Sequence, residues 1–216
     1  MKKALFITIE GPDGSGKTTV SKAIYEKLSS EGYKLKLTRE PGGSKIAEQI
    51  RNIILDIKNS EMDARCEALL YAAARRQHLV DKVLPALRDG VSVISDRFID
   101  SSLAYQGVGR KIGIENVWQI NQFAIDDCLP DKTIYLDIDA QVGLKRIQRE
   151  RNHLDRLDKE ELSFHQLVFK GYQEVLKLFP DRFIKVDASQ DIQKVIKDTY
   201  AIVKELLDDF AYTVKK

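Results

Sequence analysis

Cysteine and histidine are scarce in this chain. Cys66 and Cys128 lie far apart in no C-x-x-C pattern, and only His78, His153 and His165 could join them. No zinc site follows from that set, and reduced, packed thiols in a cytosolic protein are expected. Long apolar runs are missing too. The longest, ALLYAAA at 68–74, is far short of a membrane span. The opening MKKALFITIE starts like a signal peptide, but its apolar stretch stops at Glu10. A soluble protein with no membrane partner is expected. Nor is there an excess of charge of one sign: 35 Lys+Arg stand against 33 Asp+Glu, a net charge of +2. Such a balance gives no footprint for nucleic acid and favours a small anionic ligand held by locally placed cations. No repeat, low-complexity tract or Pro/Gly/Ser linker divides the chain, so residues 1–216 read as one domain.

What is present is an alternation. Short β-rich runs occur at ALFITI, YKLKLT (33–38), VSVIS (91–95), KTIYLDI (132–138) and RFIKV (182–186). Between them come helix-forming stretches such as TTVSKAIYEKLSS and the long EALLYAAARRQHLVDKVLPAL. This predicts an α/β fold: a central five-stranded parallel sheet with helices on both faces. In such sheets ligands gather at the carboxyl ends of the strands. GPDGSGKT, REPGG (39–43) and DRFIDSS (96–102) follow the first three strands, so all three loops should open on one crevice.

Gly11 to Thr18 fits G-x-x-x-x-G-K-[ST], a P-loop. Its glycines turn backbone N–H groups inward, and the following helix presents its positive end to a polyphosphate. Gly11, Pro12, Asp13, Gly14, Ser15, Gly16, Lys17, Thr18 and Thr19 are the expected ATP-binding residues. Lys17 should reach the β- and γ-phosphates, and the Thr18 hydroxyl should ligate Mg2+. Asp96, at the end of VSVISD, is the favoured acidic metal partner, with Asp137 and Asp139 as competitors.

A P-loop also serves GTPase switches and ATP-driven regulators. No Asn here is followed by Lys, which weakens the guanine-specific switch. Transfer to an acceptor needs more positive charge than Lys17 supplies. Arg97, beside Asp96, is placed to clamp a phosphate. The second source is the segment of about 141–160, where Lys145, Arg146, Arg149, Arg151, Arg156 and Lys159 crowd together around a break at Asn152 and His153. Its interleaved acids also fit a solvated helix. Its place after the fourth strand favours a small helical lid that carries arginines over the phosphates.

Together IEGPDGSGKTT, TREPGGS, YAAARRQHL, DRFIDSSLAYQG, FAIDDCLPDKTIYLDID and HLDRLDKEELSFHQLVFKGYQEV resemble bacterial thymidylate kinases over nearly the whole chain. The resemblance implies transfer of the γ-phosphoryl of MgATP to dTMP. It implies that Asp13 contacts the acceptor's 3′-OH, that Glu40 and Pro41 shape the acceptor-phosphate end, and that Arg51 and Arg97 hold the dTMP phosphate. Tyr71, where many relatives have Phe, would lie against thymine, and Arg75 would donate to its O4. Ser102 and Gln106 would complete the base reading, and Tyr105 would crowd the sugar's 2′ position. Phe98 stands where many relatives have Tyr. The absence of an arginine at Gly14 implies lid-supplied catalytic arginines, Arg149 and Arg151 first and Arg156 next. A homodimer through packed helices is also implied, with 62–89 contributing. Another pyrimidine monophosphate kinase, acting on dUMP, UMP or CMP, is the nearest alternative, and an ATP-binding regulatory module the next.

Overall fold

The computed structural model describes residues 3–150, 155–157 and 160–214; the side chains of 148–150 and 212–214 are outside that description. Five parallel strands run in the order β2-β3-β1-β4-β5. They are β1 (Phe6–Glu10), β2 (Leu35–Arg39), β3 (Ser92–Asp96), β4 (Lys132–Asp137) and β5 (Phe183–Asp187). β1 and β3 are buried along their whole length, as expected of inner strands covered on both faces.

Side chains alternate across this sheet. Ile7, Ile9, Ile94, Ile134 and Leu136 pack on one face against α1 (Lys17–Ser30) and α9 (Ile192–Val214). Phe6 and Val93 point the other way, toward Leu79, Val83, Phe98, Leu103, Val117 and Val175. That second layer contains α3 (Ala64–His78), α4 (Leu84–Arg88), the short α5 (Ile99–Ser102), α6 (Ile114–Ile125) and α8 (Leu162–Leu178), with α2 (Lys45–Leu55) packed beside α3. The fold class expected from the sequence is the one observed. β2 lies slightly later than the YKLKLT run, over Leu35–Arg39.

The register sets up the site. Ile9 of β1 and Arg39 of β2 both pair with Asp96 of β3, so three strands end flush. Their loops are thereby delivered to one edge.

Two stretches depart from simple helix. Leu79–Val83 is a π-helical turn between α3 and α4, so the long segment read as one helical run is broken after His78. Leu103–Gly109 is a second π-helical turn continuing α5. It places Tyr105 and Gln106 inside a wide turn. Wide turns of this kind are frequent at functional sites. Cys66 is exposed on α3 and Cys128 half-buried, so the expectation of packed thiols fails for Cys66. It falls on the outer side of α3, whose inner positions are taken by Glu67, Ala68 and Ala72. Among the described residues no helix is long and apolar enough to cross a membrane.

Candidate active site

β1 ends in Glu10, a fully buried carboxylate. Its Oε1 accepts from Phe98 N at 2.7 Å, and its Oε2 accepts from Ser101 Oγ at 2.6 Å and Tyr172 OH at 2.9 Å. Burial, helped by the neighbouring Asp100 carboxylate, pushes Glu10 up to about 7. These bonds fasten the turn after β3, where Arg97 sits in the left-handed region at φ 71. The αL conformation is costly for a side-chain-bearing residue and persists only when its surroundings fix it.

Held this way, Arg97 forms an ion pair with Asp13 and donates to Gly11 O at 3.3 Å and Tyr105 OH at 3.3 Å. Tyr105 OH in turn donates to Asp13 Oδ2 at 2.7 Å. Burial opposes ionisation of Asp13, but the Arg97 and Lys17 charges outweigh it and hold the carboxyl at about 2. Lys17 is folded into the cradle, donating to Gly11 O at 2.9 Å and Pro12 O at 2.7 Å. Burial, with the nearby Arg97 charge, pushes its ammonium down to about 7. Thr18 Oγ1 donates to Asp96 Oδ2 at 2.6 Å, so hydroxyl and carboxylate lie side by side next to the cradle. The competing acids are engaged elsewhere: Asp137 pairs with Lys185 at 2.8 Å, and Asp139 Oδ1 accepts from Gln141 N at 2.8 Å.

One cavity of about 790 Å³ spans this edge. Lys17, Thr18, Thr19, Asp13, Asp96 and Arg97 line its middle, and Glu40, Pro41, Arg51, Tyr71, Tyr105 and Gln106 line one end. Arg51 Nη1 donates to Pro41 O at 3.0 Å there. Arg75 and Ser102 lie beneath that wall. Arg75 is 2% exposed, its Nε donating to Glu40 Oε2 at 2.8 Å, its Nη1 to Ser102 Oγ at 3.1 Å and to Asn121, and its Nη2 to Phe98 O at 3.0 Å. Tyr71 and Arg75 thus share a helix side but sit at different depths. The π-helical turn after α3 begins beside His78, whose Nδ1 bonds the other Glu40 oxygen at 2.9 Å.

The opposite end of the cavity was not legible from the motifs. Gln190 and Asp191, in the loop after β5, and Ile192, the first residue of α9, line it together with Arg146 and Ile147 of α7 (Ala140–Glu150). Arg146 Nη1 donates to Ala188 O at 2.9 Å. The carboxyl-end rule pointed there, because the fifth strand also opens on this edge. Asn152, His153, Arg151 and Lys159, and the side chain of Arg149, lie outside the described residues. Arg156 is described and turns inward, pairing with the buried Glu67 rather than lining the cavity. At the start of α7, Gly143 lies directly on the cradle. A Cβ added to it would overlap the Asp13 carbonyl, and one added to Gly14 would overlap the backbone of Gly143.

The thymidylate kinase family model matches residues 9–199. The chain belongs to the thymidylate kinase family. It is 54% identical over 209 residues to a thymidylate kinase of Bacillus licheniformis, covering 95% of this chain and 97% of that one. It is 56% identical over 207 residues to one of Bacillus velezensis, covering 94% and 96%. Among solved structures, a thymidylate kinase of Ehrlichia chaffeensis superposes with a TM-score of 0.75 at 34% identity, covering 93% of this chain and 98% of that one. In this thymidylate kinase family member the P-loop, the turn after β3 and the Tyr105–Gln106 turn meet at one edge of the sheet.

Proposed function

We propose that the chain transfers the γ-phosphoryl group of MgATP to dTMP, giving ADP and dTDP for dTTP synthesis. The observation that carries this reading is the single cavity running from Lys17 and Thr18 to Tyr71 and Gln106 in a chain of this family. Its volume of about 790 Å³ lies in the upper part of the range usual for small-molecule sites, which suits a donor and an acceptor bound together.

In this reading the backbone N–H groups of the cradle, residues 11–19 apart from Pro12, hold the ATP phosphates, and Lys17 leaves its carbonyl partners to pair with the β- and γ-phosphates. The donor base lies between Arg146 and residues 190–192. Thr18 and Asp96 fit Mg2+, because adjacent hydroxyl and carboxylate oxygens suit a hard cation that keeps water and phosphate oxygens as its other ligands. When bound, the ion neutralises charge on the transferring phosphates. Arg97 and Arg51 hold the acceptor phosphate, with Glu40 and Pro41 shaping that end. Asp13 takes the 3′-OH, Tyr105 crowds the 2′ position and Tyr71 lies against thymine. Arg75, with Ser102, reads O4 from beneath the wall, and Gln106 reads the base edge. Arg149 and Arg151 are the lid arginines in this reading, supplying positive charge to the transferring phosphates. No strong general base is needed, since the acceptor phosphate is already anionic near neutral pH and the demand is for position and positive charge. Lid closure then excludes water and suppresses idle ATP hydrolysis.

The exposed side chains of Leu69 on α3, Val80 just after it, and Phe123 on α6, which is 91% exposed, support a homodimer through this helical layer. The cytoplasm, where ATP and dTMP are both available, is the setting. Coupled ADP release with dTMP, dUMP, UMP and CMP tests the activity. The highest kcat/KM is expected with dTMP; preference for a cytosine or ribose acceptor refutes the reading. Calorimetry in which ATP binds and dTMP does not would favour a regulatory ATP binder.

A further inference from the structure

Glu67 is fully buried on α3, one turn before Tyr71. Its carboxylate gathers three side chains from distant parts of the chain. Oε1 accepts from Gln106 Nε2 at 2.8 Å and Arg110 Nε at 3.3 Å, while Oε2 accepts from Arg110 Nη2 at 3.1 Å and from Arg156 Nη2. Arg156 Nε is itself tied to Ile54 O at 2.8 Å, and Arg110 reaches on to Glu160 at 2.6 Å. Burial works against the charge on Glu67, but Arg110 and the hydrogen bonds from its three partners outweigh it and keep the carboxyl ionised.

An ionised carboxylate only accepts hydrogen bonds. The Gln106 amide must therefore turn its NH2 end toward Glu67, and its carbonyl oxygen is the end left for the cavity that Gln106 lines. The two ends of a primary amide are nearly identical in shape, so nothing steric fixes this choice; the charge does. We propose that Glu67 is a specificity-determining positioning residue, which orients the Gln106 amide so that its carbonyl selects an acceptor base carrying N–H at ring position 3. Thymine and uracil carry that donor, whereas cytosine presents a lone pair there and would face the amide oxygen acceptor to acceptor. A buried polar site that meets the wrong partner rejects it strongly, because its own group is left unpaired. This inference rests on the reading of the site as a dTMP kinase. It adds a second check on the base, at position 3, to the one at position 4.

The test compares dTMP with 5-bromo-dUMP, a ligand of the same shape whose N3–H ionises within the assay range. Binding of each is measured by calorimetry across the pH interval spanning that ionisation, and the ratio of the two Kd values cancels titrations belonging to the protein. In the wild type, only the neutral bromouracil is accepted, so the ratio should rise about tenfold per pH unit beyond the ligand's ionisation. In Glu67→Gln the neighbouring amide can donate as well as accept, Gln106 is free to reverse, and the rise should flatten to at most about threefold per unit. A purely structural role for Glu67 would weaken both ligands alike and leave the slope unchanged. A ratio independent of pH in the wild type overturns the amide orientation. Equal slopes in wild type and a folded Glu67→Gln overturn the role of Glu67. If Glu67→Gln does not fold, Glu67→Met, which removes the charge at a similar side-chain length, takes its place under the same criteria. Failure of dTMP to bind at any pH would instead refute the kinase reading, and this inference with it.

Discussion

Gly143→Ala separates helix stability from catalysis at one position. Inside an ordinary helix, replacing Gly by Ala stabilises by roughly 0.5–1 kcal/mol. Gly143 is not in an ordinary setting, because its missing side chain is what lets α7 rest on the cradle: the new Cβ would overlap the Asp13 carbonyl, which is backbone and has no rotamer to retreat into. The two must part by about 1 Å to restore normal carbon–oxygen contact. α7 carries Arg146 and Ile147 into the cavity wall, and it leads toward Arg149 and Arg151. A misplacement of about 1 Å in groups that position reactants lowers rate about 10²-fold, equivalent to roughly 2.7 kcal/mol of barrier. The expectation is therefore a kcat lowered about 10²-fold in coupled ADP release at saturating MgATP and dTMP, with a thermal midpoint within a few degrees of wild type. Val142→Ala, an exposed neighbour on the same helix, serves as control and should leave kcat unchanged. Wild-type kcat together with a raised midpoint in Gly143→Ala would mean that α7 does not rest on the cradle during turnover, and the reasoning would fail.

Lys17→Ala should lower kcat by about 10²–10³-fold while far-UV circular dichroism and the thermal midpoint stay near wild type; retained turnover would contradict the cradle assignment. Glu10 has a folded-state pKa raised from 4.5 to about 7, so its stabilising contribution is full below about 4.5 and disappears as pH rises through 7. The difference in unfolding free energy between wild type and Glu10→Gln should accordingly shift against wild type between pH 5 and pH 8, by an amount on the order of 3 kcal/mol, read from denaturant titrations at each pH. If the proposed homodimer forms through this face, Phe123→Asp should weaken self-association at least about tenfold in sedimentation equilibrium without lowering kcat/KM for the residual folded enzyme; an unchanged mass distribution would refute a homodimer built on this face.

The parts of this fold legible in the sequence are those written in short-range patterns. A short apolar run ending at Glu10 and followed by Gly11–Thr18 announces both β1 and the loop after it, and the flush ends of β1, β2 and β3 follow from parallel pairing. The cavity lining agrees with most of the expected residues because those loops are local and their direction is set by the strands. What escaped depends on long-range pairing. Nothing near Glu67 signals that Gln106, Arg110 and Arg156 converge on it. Interleaved acids and arginines between 145 and 160 looked alike, yet Arg146 lines the cavity and Arg156 turns into the interior. Arg75 and Tyr71 are one helical turn apart, and helical spacing gives direction but not depth below the surface. The π-helical turns escaped because one extra residue per turn leaves no mark in composition.

The flush pairing of Arg39, Asp96 and Ile9 makes the chemistry hostage to a count of residues. Deleting one residue from Ser92–Asp96 would carry each later side chain of that strand to the opposite face, turning Asp96 away from Thr18 and Arg97 away from Asp13 at a stroke. Insertions in the far connections, such as the turn at Gly90 that enters the strand from the other end, would leave both partnerships intact. Variation in length among descendants of this chain should therefore collect on the amino-terminal rim of the sheet, with the carboxyl-terminal rim kept at fixed spacing.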